Sequence, residues 1–155
     1  MRAFYLEVNM FRGRHEHAID SKGRLSIPSK FREILSNSFD ERLIITNYDG
    51  CLWAYPVSEW KKIEDKVNAL PQFKEEVKAF QRVFISAAFE SAVDGSGRIL
   101  IPPTLREYAG ITKDVVLVGM TNRIEIYSKE KWQQTFEASV KRLELMGDKL
   151  ADLGL

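Results

Sequence analysis

From residue 11 to residue 19 the chain alternates in character. Phe11 and Ile19 fall on one side, while Arg12, Arg14 and Glu16 share the other, which is the two-residue period of an extended strand. Turn chemistry follows in Asp20-Ser21-Lys22-Gly23, where Asp bonds its own backbone and Gly accepts a positive φ. Arg24-Leu25-Ser26-Ile27 then returns as a strand, so this segment predicts a β-hairpin. Pro28 closes the strand with φ already set for a helical first turn. Phe31, Ile34 and Leu35 recur at helical spacing behind it. A second hairpin is predicted from strands 43–46 and 52–55 around a turn at 47–50.

The same order of elements recurs further on. Residues 20–33 and 94–107 both read Asp-x-x-Gly-Arg-x-x-Ile-Pro-x-x-x-Arg-Glu, with a constant offset of 74. Tyr55/Tyr127 and Trp60/Trp132 match at an offset of 72. The chain is therefore a tandem duplication of a β-hairpin, short helix, β-hairpin unit. Gly110 is the expected stop of the second short helix. After the first unit, Trp60, Ile63, Val67 and Leu70 mark one helical face before Pro71, and Phe73, Val77, Phe80 and Phe84 mark another. Trp132, Phe136, Val140, Leu143, Met146, Leu150 and Leu153 do the same at the C-terminal end. These apolar stripes either pack on their own sheet or face another subunit. The expected organisation is an extension at 1–9, a first unit at 10–57, connecting helices at 58–83, a second unit at 84–129 and a C-terminal helix at 130–155.

Each copy alone is too short for a robust core, so 155 residues imply two copies sharing one. The predicted class is α+β, mainly β. An apolar content of 45% is ordinary for a globular protein, and no run of apolar residues has transmembrane length. The lone Cys51 has no internal disulfide partner and reads as a strand residue, consistent with a reducing cytoplasm. Net charge is only +1, but it is unevenly placed. Residues 10–32 carry Arg12, Arg14, Lys22, Arg24, Lys30 and Arg32 against Glu16 and Asp20, a local net of +4. The matching window 84–106 carries Arg98 and Arg106 against Glu90 and Asp94, a net of zero. One half is thus expected to meet an anionic partner and the other to serve as packing.

The doubled Asp-x-x-Gly-Arg turn, Ile-Pro and Pro-x-x-x-Arg-Glu helix start resemble the MraZ family, bacterial proteins with two SpoVT/AbrB-like units in one chain. The resemblance covers about residues 10–150, and Met10-Phe11-Arg12-Gly13 looks like the family's usual start. It implies a swapped-hairpin AbrB-like barrel closed by the two copies, with flanking α-helices. It also implies a ring-like homo-oligomer, cytoplasmic and nucleoid-associated, that regulates transcription. The implied partner is double-stranded DNA, at repeats upstream of the division and cell-wall gene cluster. The position matching the family's DNA-contacting arginine is Arg24.

Physical chemistry is compatible with that role. Arg24 and Lys22 flank the turn at Gly23, where a ribbon tip can enter a major groove and an arginine can bond guanine O6 and N7. Arg12 and Arg14 suit phosphate oxygens; Arg32 is a weaker candidate because Arg106 repeats it in the uncharged copy. Asp20, Gly23, Asp94, Gly97 and Arg98 are expected to be structural. The alternative for Arg24 is that it only braces the turn through Asp20, as Arg98 would through Asp94. No catalytic residue, cofactor, metal or small-molecule substrate is expected. His15-x-His17 is half a metal site, unrepeated in the second copy, and neither a nucleophile elbow nor a phosphate loop is present. A competing reading is an antitoxin-like or scaffold module whose apolar helices clasp a protein partner.

Overall fold

The computed structural model describes residues 10–155, so the extension expected at 1–9 lies outside the described residues. The first copy contributes β1 (Arg14–Ala18), β2 (Arg24–Ser26), α1 (Ser29–Ser38), β3 (Arg42–Tyr48) and β4 (Cys51–Pro56). Helices α2 (Val57–Asn68) and α3 (Glu75–Phe80), then a π-helical turn (Gln81–Ile85), lead into the second copy. That copy supplies β5 (Phe89–Ala92), β6 (Arg98–Leu100), α4 (Pro103–Ala109), β7 (Asp114–Gly119) and β8 (Ile124–Ser128). The C-terminal stripe forms two helices rather than one, α5 (Lys129–Leu145) and α6 (Gly147–Asp152), interrupted at Met146. Phe73 does not join the second connecting stripe: it precedes α3 and is almost fully exposed.

Six strands form one antiparallel sheet in the order β1-β7-β8-β4-β3-β5, and β2 pairs with β6 in a separate two-stranded ribbon. The first predicted hairpin of each copy is therefore wrong as a ladder. β1 pairs with β7 of the other copy, and β5 reciprocally with β3. Within the first copy only the single bridge Ile19↔Leu25 joins the two arms. The reason is that each return strand has a better partner in its own twin: Leu25 faces Ile99 across the ribbon, and both are buried. The second hairpins form as predicted. Tyr48 pairs with Cys51, and Asp49 and Gly50 between them both have positive φ (53° and 76°), the conformation that a tight two-residue hairpin turn requires.

The mixed α+β class, with its strands antiparallel, and the internal duplication are thus observed, together with strand exchange between copies. Among the described residues the ladders do not close into a ring: β1 and β5 are the sheet edges, and the ribbon lies against both. The main core fills the space between ribbon and sheet, from Leu25, Ile99 and Ile101 to Leu52, Leu117, Ile124 and Ile126. Two ladders pair equivalent positions of the two copies, Leu25↔Ile99 and Trp53↔Glu125. The pseudo-two-fold axis relating the copies therefore passes through the ribbon and through the centre of the sheet.

The other face of the sheet is covered by helices. Trp60 of α2 stacks on Phe84 with centroids 5.3 Å apart. The buried Thr46 hydroxyl donates to the Phe84 carbonyl at 2.5 Å, one of the last-turn carbonyls that a helix end leaves without an intrahelical partner. On the second copy Tyr127 packs on Trp132 of α5 at 5.0 Å. No residue of α5 is buried, so its stripe Phe136, Val140 and Leu143 lies largely open.

Candidate nucleic-acid interface

The two Asp-x-x-Gly-Arg turns are built alike. Asp20 Oδ1 accepts from the Lys22 and Arg24 N–H groups at 3.0 and 2.9 Å, and its Oδ2 accepts from Arg24 Nε at 2.6 Å. Asp94 Oδ1 accepts from Ser96 and Arg98 N–H groups, both at 2.9 Å, and Oδ2 from Arg98 Nε at 3.2 Å. These donors favour the ionised carboxylates. The Arg24 N–H above all holds the Asp20 carboxyl below its ordinary range, and the Arg98 N–H does so for Asp94. Both pairs remain a third or more open to solvent, which screens them, so they fix side-chain direction more than they add stability.

The turn glycines explain why the motif contains them. Gly23 and Gly97 have φ of +85° and +76°. A Cβ at Gly23 would lie 2.6 Å from the Ile101 carbonyl oxygen, and one at Gly97 would lie 2.8 Å from Arg32 Cδ. Cross-bonds run from Ile101 N–H to Gly23 O at 2.8 Å and from Ile27 N–H to Gly97 O at 2.9 Å. Each motif turn is thus packed under the helix start of the opposite copy, with Arg106 over the first and Arg32 over the second. The sequence places Arg32 and Arg106 at equivalent positions but does not reveal this bracing role. Their presence in both copies, irrespective of local charge, is the available signal.

The basic residues of the first copy separate into different settings. Arg24 and Lys22 stand at the turn, Lys22 exposed and Arg24 half-buried. Arg14 is exposed on β1 and directed at α5, its guanidinium 4.8 Å from the Phe136 ring centroid and 5.7 Å from that of Trp132. Its neighbour Glu16 pairs with Lys129 of α5 at 3.5 Å. Arg12 is exposed ahead of β1, with its backbone packed closely against Gly119. Strand alternation places Arg24, Ser26, Arg98 and Leu100 together on the outward side of the ribbon, opposite the buried Leu25 and Ile99. The sequence does not bring Arg98 to Arg24's face, because that depends on the cross-copy pairing.

His15 packs edge-on against Phe31 at 5.0 Å. Burial, and then His15, hold the His17 imidazole below its ordinary value. Among the described residues no group of three or more His, Cys, Asp or Glu side chains is placed to hold a metal ion. Cys51 is buried, and burial pushes its thiol up to about 12, which makes it a poor nucleophile. No helix among the described residues is long and apolar enough to cross a membrane.

Fold and site define a two-unit protein of exchanged β-strands that presents paired Asp–Arg turns on a ribbon. The chain belongs to the MraZ family: the model described as "MraZ protein, putative antitoxin-like" matches residues 10–83 and 84–149. A relative from Heliobacterium modesticaldum, named Transcriptional regulator MraZ, is 45% identical over 146 residues, 94% of this chain and 100% of its own. Relatives of the same name from Pelotomaculum thermopropionicum and Clostridium beijerinckii are each 44% identical over 94% of this chain, covering 99% and 100% of their own length.

Proposed function

We propose that this protein is a sequence-specific DNA-binding transcriptional regulator that engages repeated sites upstream of the division and cell-wall gene cluster. The observation that carries the reading is Arg24, held at its Nε by Asp20 on the outer face of the ribbon within the basic copy. A tethered guanidinium keeps its two terminal nitrogens for a guanine edge and loses little freedom on binding. Lys22 and Arg12 supply phosphate contacts that set register. Arg14, stacked on α5, adds positive field rather than a directed contact. The name carried by the relatives supports regulation of transcription.

One such face per subunit gives modest affinity. A ring-like homo-oligomer placing several faces on several repeats multiplies it through effective concentration, and the open apolar stripe of α5 is the surface for subunit contact. That same stripe favours the second reading, an antitoxin-like or scaffold module binding another protein.

The test is binding of the purified protein to a fluorescent duplex from upstream of its own gene, across a salt series, beside Arg24→Ala. Salt-sensitive binding that Arg24→Ala abolishes in a folded, oligomeric protein supports the regulator. Tight binding untouched by Arg24→Ala returns that arginine to a purely bracing role. Absence of binding to every upstream duplex removes the regulator and promotes the protein-binding module.

A further inference from the structure

Beside the ribbon, β1, the start of α1 and the 94–97 turn border an open cleft of about 330 Å³. Its polar lining is His15, His17, Ser26, Ser29, Arg32 and Ser96, without a carboxylate. The Arg32 guanidinium lies over Gly97, and among the described residues it makes no hydrogen bond or ion pair. The same is true of both imidazoles and of the three hydroxyls. Helix α1 begins on the wall of this cleft with no side-chain cap and no acidic residue in its first turn. The second copy keeps the scaffold but not the chemistry. At an offset of 74 the equivalent residues are Phe89, Ser91, Leu100, Pro103 and Arg106, with Lys22 in the place of Ser96. There the Ser91 hydroxyl accepts from the Leu100 N–H at 2.9 Å, and Arg106 Nε donates to the Ile101 carbonyl at 3.0 Å. The second copy thus replaces its polar groups or uses them internally, whereas the first leaves all of them lining one space.

We propose that this cleft is a phosphate-binding site, for a small phosphate ester or for a backbone phosphate of bound DNA. A guanidinium pairs two nitrogens with two phosphate oxygens, and free hydroxyls donate to the others. The uncapped start of α1 adds N–H groups of the kind that favour an anion. The ionisable groups lining the cleft are His15, His17 and Arg32 alone. Asp94 of the adjoining turn is engaged by Ser96 and Arg98. Arg14 and Glu16 lie on the opposite face of β1, and β7 brings apolar Leu117 and Val115 alongside the imidazoles. Burial, and then the His15 charge, hold His17 below its ordinary value, and a bound anion opposes both. Phosphate should therefore raise the His17 pKa, and by reciprocity a protonated His17 tightens phosphate. Ser26 belongs both to this cleft and to the outward ribbon face, which puts the site beside the surface assigned to DNA. A free ester would make the cleft an effector site, beyond the regulator reading; the backbone source rests on that reading.

The experiment has two arms, both on the full chain. In the first, equilibrium dialysis against radiolabelled inorganic phosphate is run at constant ionic strength, balanced with sodium chloride. Wild type is expected to take up a single phosphate per chain saturably, and NMR titration to show a higher His17 pKa in the saturated protein. Arg32→Gln is expected to weaken uptake about tenfold or more, the loss of a charge-assisted contact. His15→Phe with His17→Ser copies residues that the second copy already holds, and it should weaken uptake likewise. That pair keeps the test if Arg32→Gln fails to fold. Lys141→Gln, exposed on α5, removes a charge elsewhere and should leave uptake unchanged. In the second arm the upstream duplex carries single methylphosphonates, which neutralise its backbone phosphates one position at a time. A position whose neutralisation weakens wild type several-fold, and the histidine pair not at all, identifies the DNA backbone as the source. Saturable uptake without such a position identifies a free ester. A chain that takes up phosphate but binds no upstream duplex keeps the cleft and loses only the regulator. Uptake unchanged by Arg32→Gln and the histidine pair, or reduced equally by Lys141→Gln, overturns the phosphate site. So does an absence of uptake together with no such position.

Discussion

Trp53 and Glu125 occupy the same position in the two copies and face each other across the β4–β8 ladder. Duplication placed one residue type there; the present chain has an indole against a carboxylate, and Arg123 touches both. Its guanidinium lies 3.9 Å from the Trp53 ring centroid and donates to Glu125 Oε2 from Nε at 3.0 Å and Nη2 at 2.7 Å. Tyr127 donates its hydroxyl to Glu125 Oε1 at 2.6 Å, so both carboxylate oxygens are occupied.

Removing Arg123 should therefore be costly. Glu125 is only 4% exposed, and Arg123→Ala would leave its charge buried with one neutral donor. A loss of about 3 kcal/mol is expected, measured by urea denaturation. Glu125→Gln should lose clearly less, because the amide keeps an acceptor for Tyr127 or Arg123. Equal losses from the two variants would show that packing, not the charge, is what Arg123 supplies.

The turn glycines give a paired test. Gly23→Ala forces a left-handed φ on a residue with a Cβ, about 1–2 kcal/mol, and drives that Cβ against the Ile101 carbonyl, so its melting temperature should drop by more than the φ cost alone. Gly95 has no atom within 4 Å of a built Cβ, and Gly95→Ala should stay within about 0.5 kcal/mol of wild type. Similar behaviour of the two would contradict the close crossing of the copies.

Acid should weaken the turns in a defined window. The folded turns hold the Asp20 and Asp94 carboxyls below their ordinary value of 3.8. The unfolded chain therefore takes up these protons first as pH falls. The associated stability is complete above the ordinary carboxylate range and is lost as pH drops below it through the folded values. A double variant, Asp20→Asn with Asp94→Asn, keeps an acceptor for the backbone but cannot titrate. Its urea midpoint should be lower at pH 7 and fall less steeply than wild type between about pH 5 and pH 2.

Thr46→Val tests the link between sheet and π-helical turn. The swap keeps the shape but leaves the Phe84 carbonyl without the donor it has at 2.5 Å, at a cost of about 1–2 kcal/mol. Thr46→Ser keeps the hydroxyl and should retain that part of the stability in the same thermal melts.

Much of this architecture is legible in the sequence because it rests on local rules. The period of two, the Asp49-Gly50 turn, the proline helix starts and Gly110, which ends α4 with φ 65°, each depend on a few adjacent residues. Strand partnership does not. A return strand such as 24–26 has the same alternation whether it pairs with its neighbour or with its twin, so the exchange, implied by the family resemblance, is not visible in the local pattern, and neither is Arg98's place on Arg24's face. Glu125 is equally opaque, since its burial depends on Arg123 and Tyr127 flanking it on one strand face. Arg14 reads as a free surface cation because nothing local announces the α5 aromatics that receive it.

The exchange of β1 and β5 between copies makes the chain a covalently fused dimer of interlocked halves. Neither half can leave with its own strands, so the molecule has no monomer–dimer equilibrium to lose on dilution. Cleavage at the exposed 71–74 connection would give two fragments that stay entangled until one of them unfolds. The fusion also relieves the halves of having to be identical, as two separately made subunits must be. One can accumulate positive charge while the other stays neutral, and a symmetric scaffold can thereby recognise a target that has a direction.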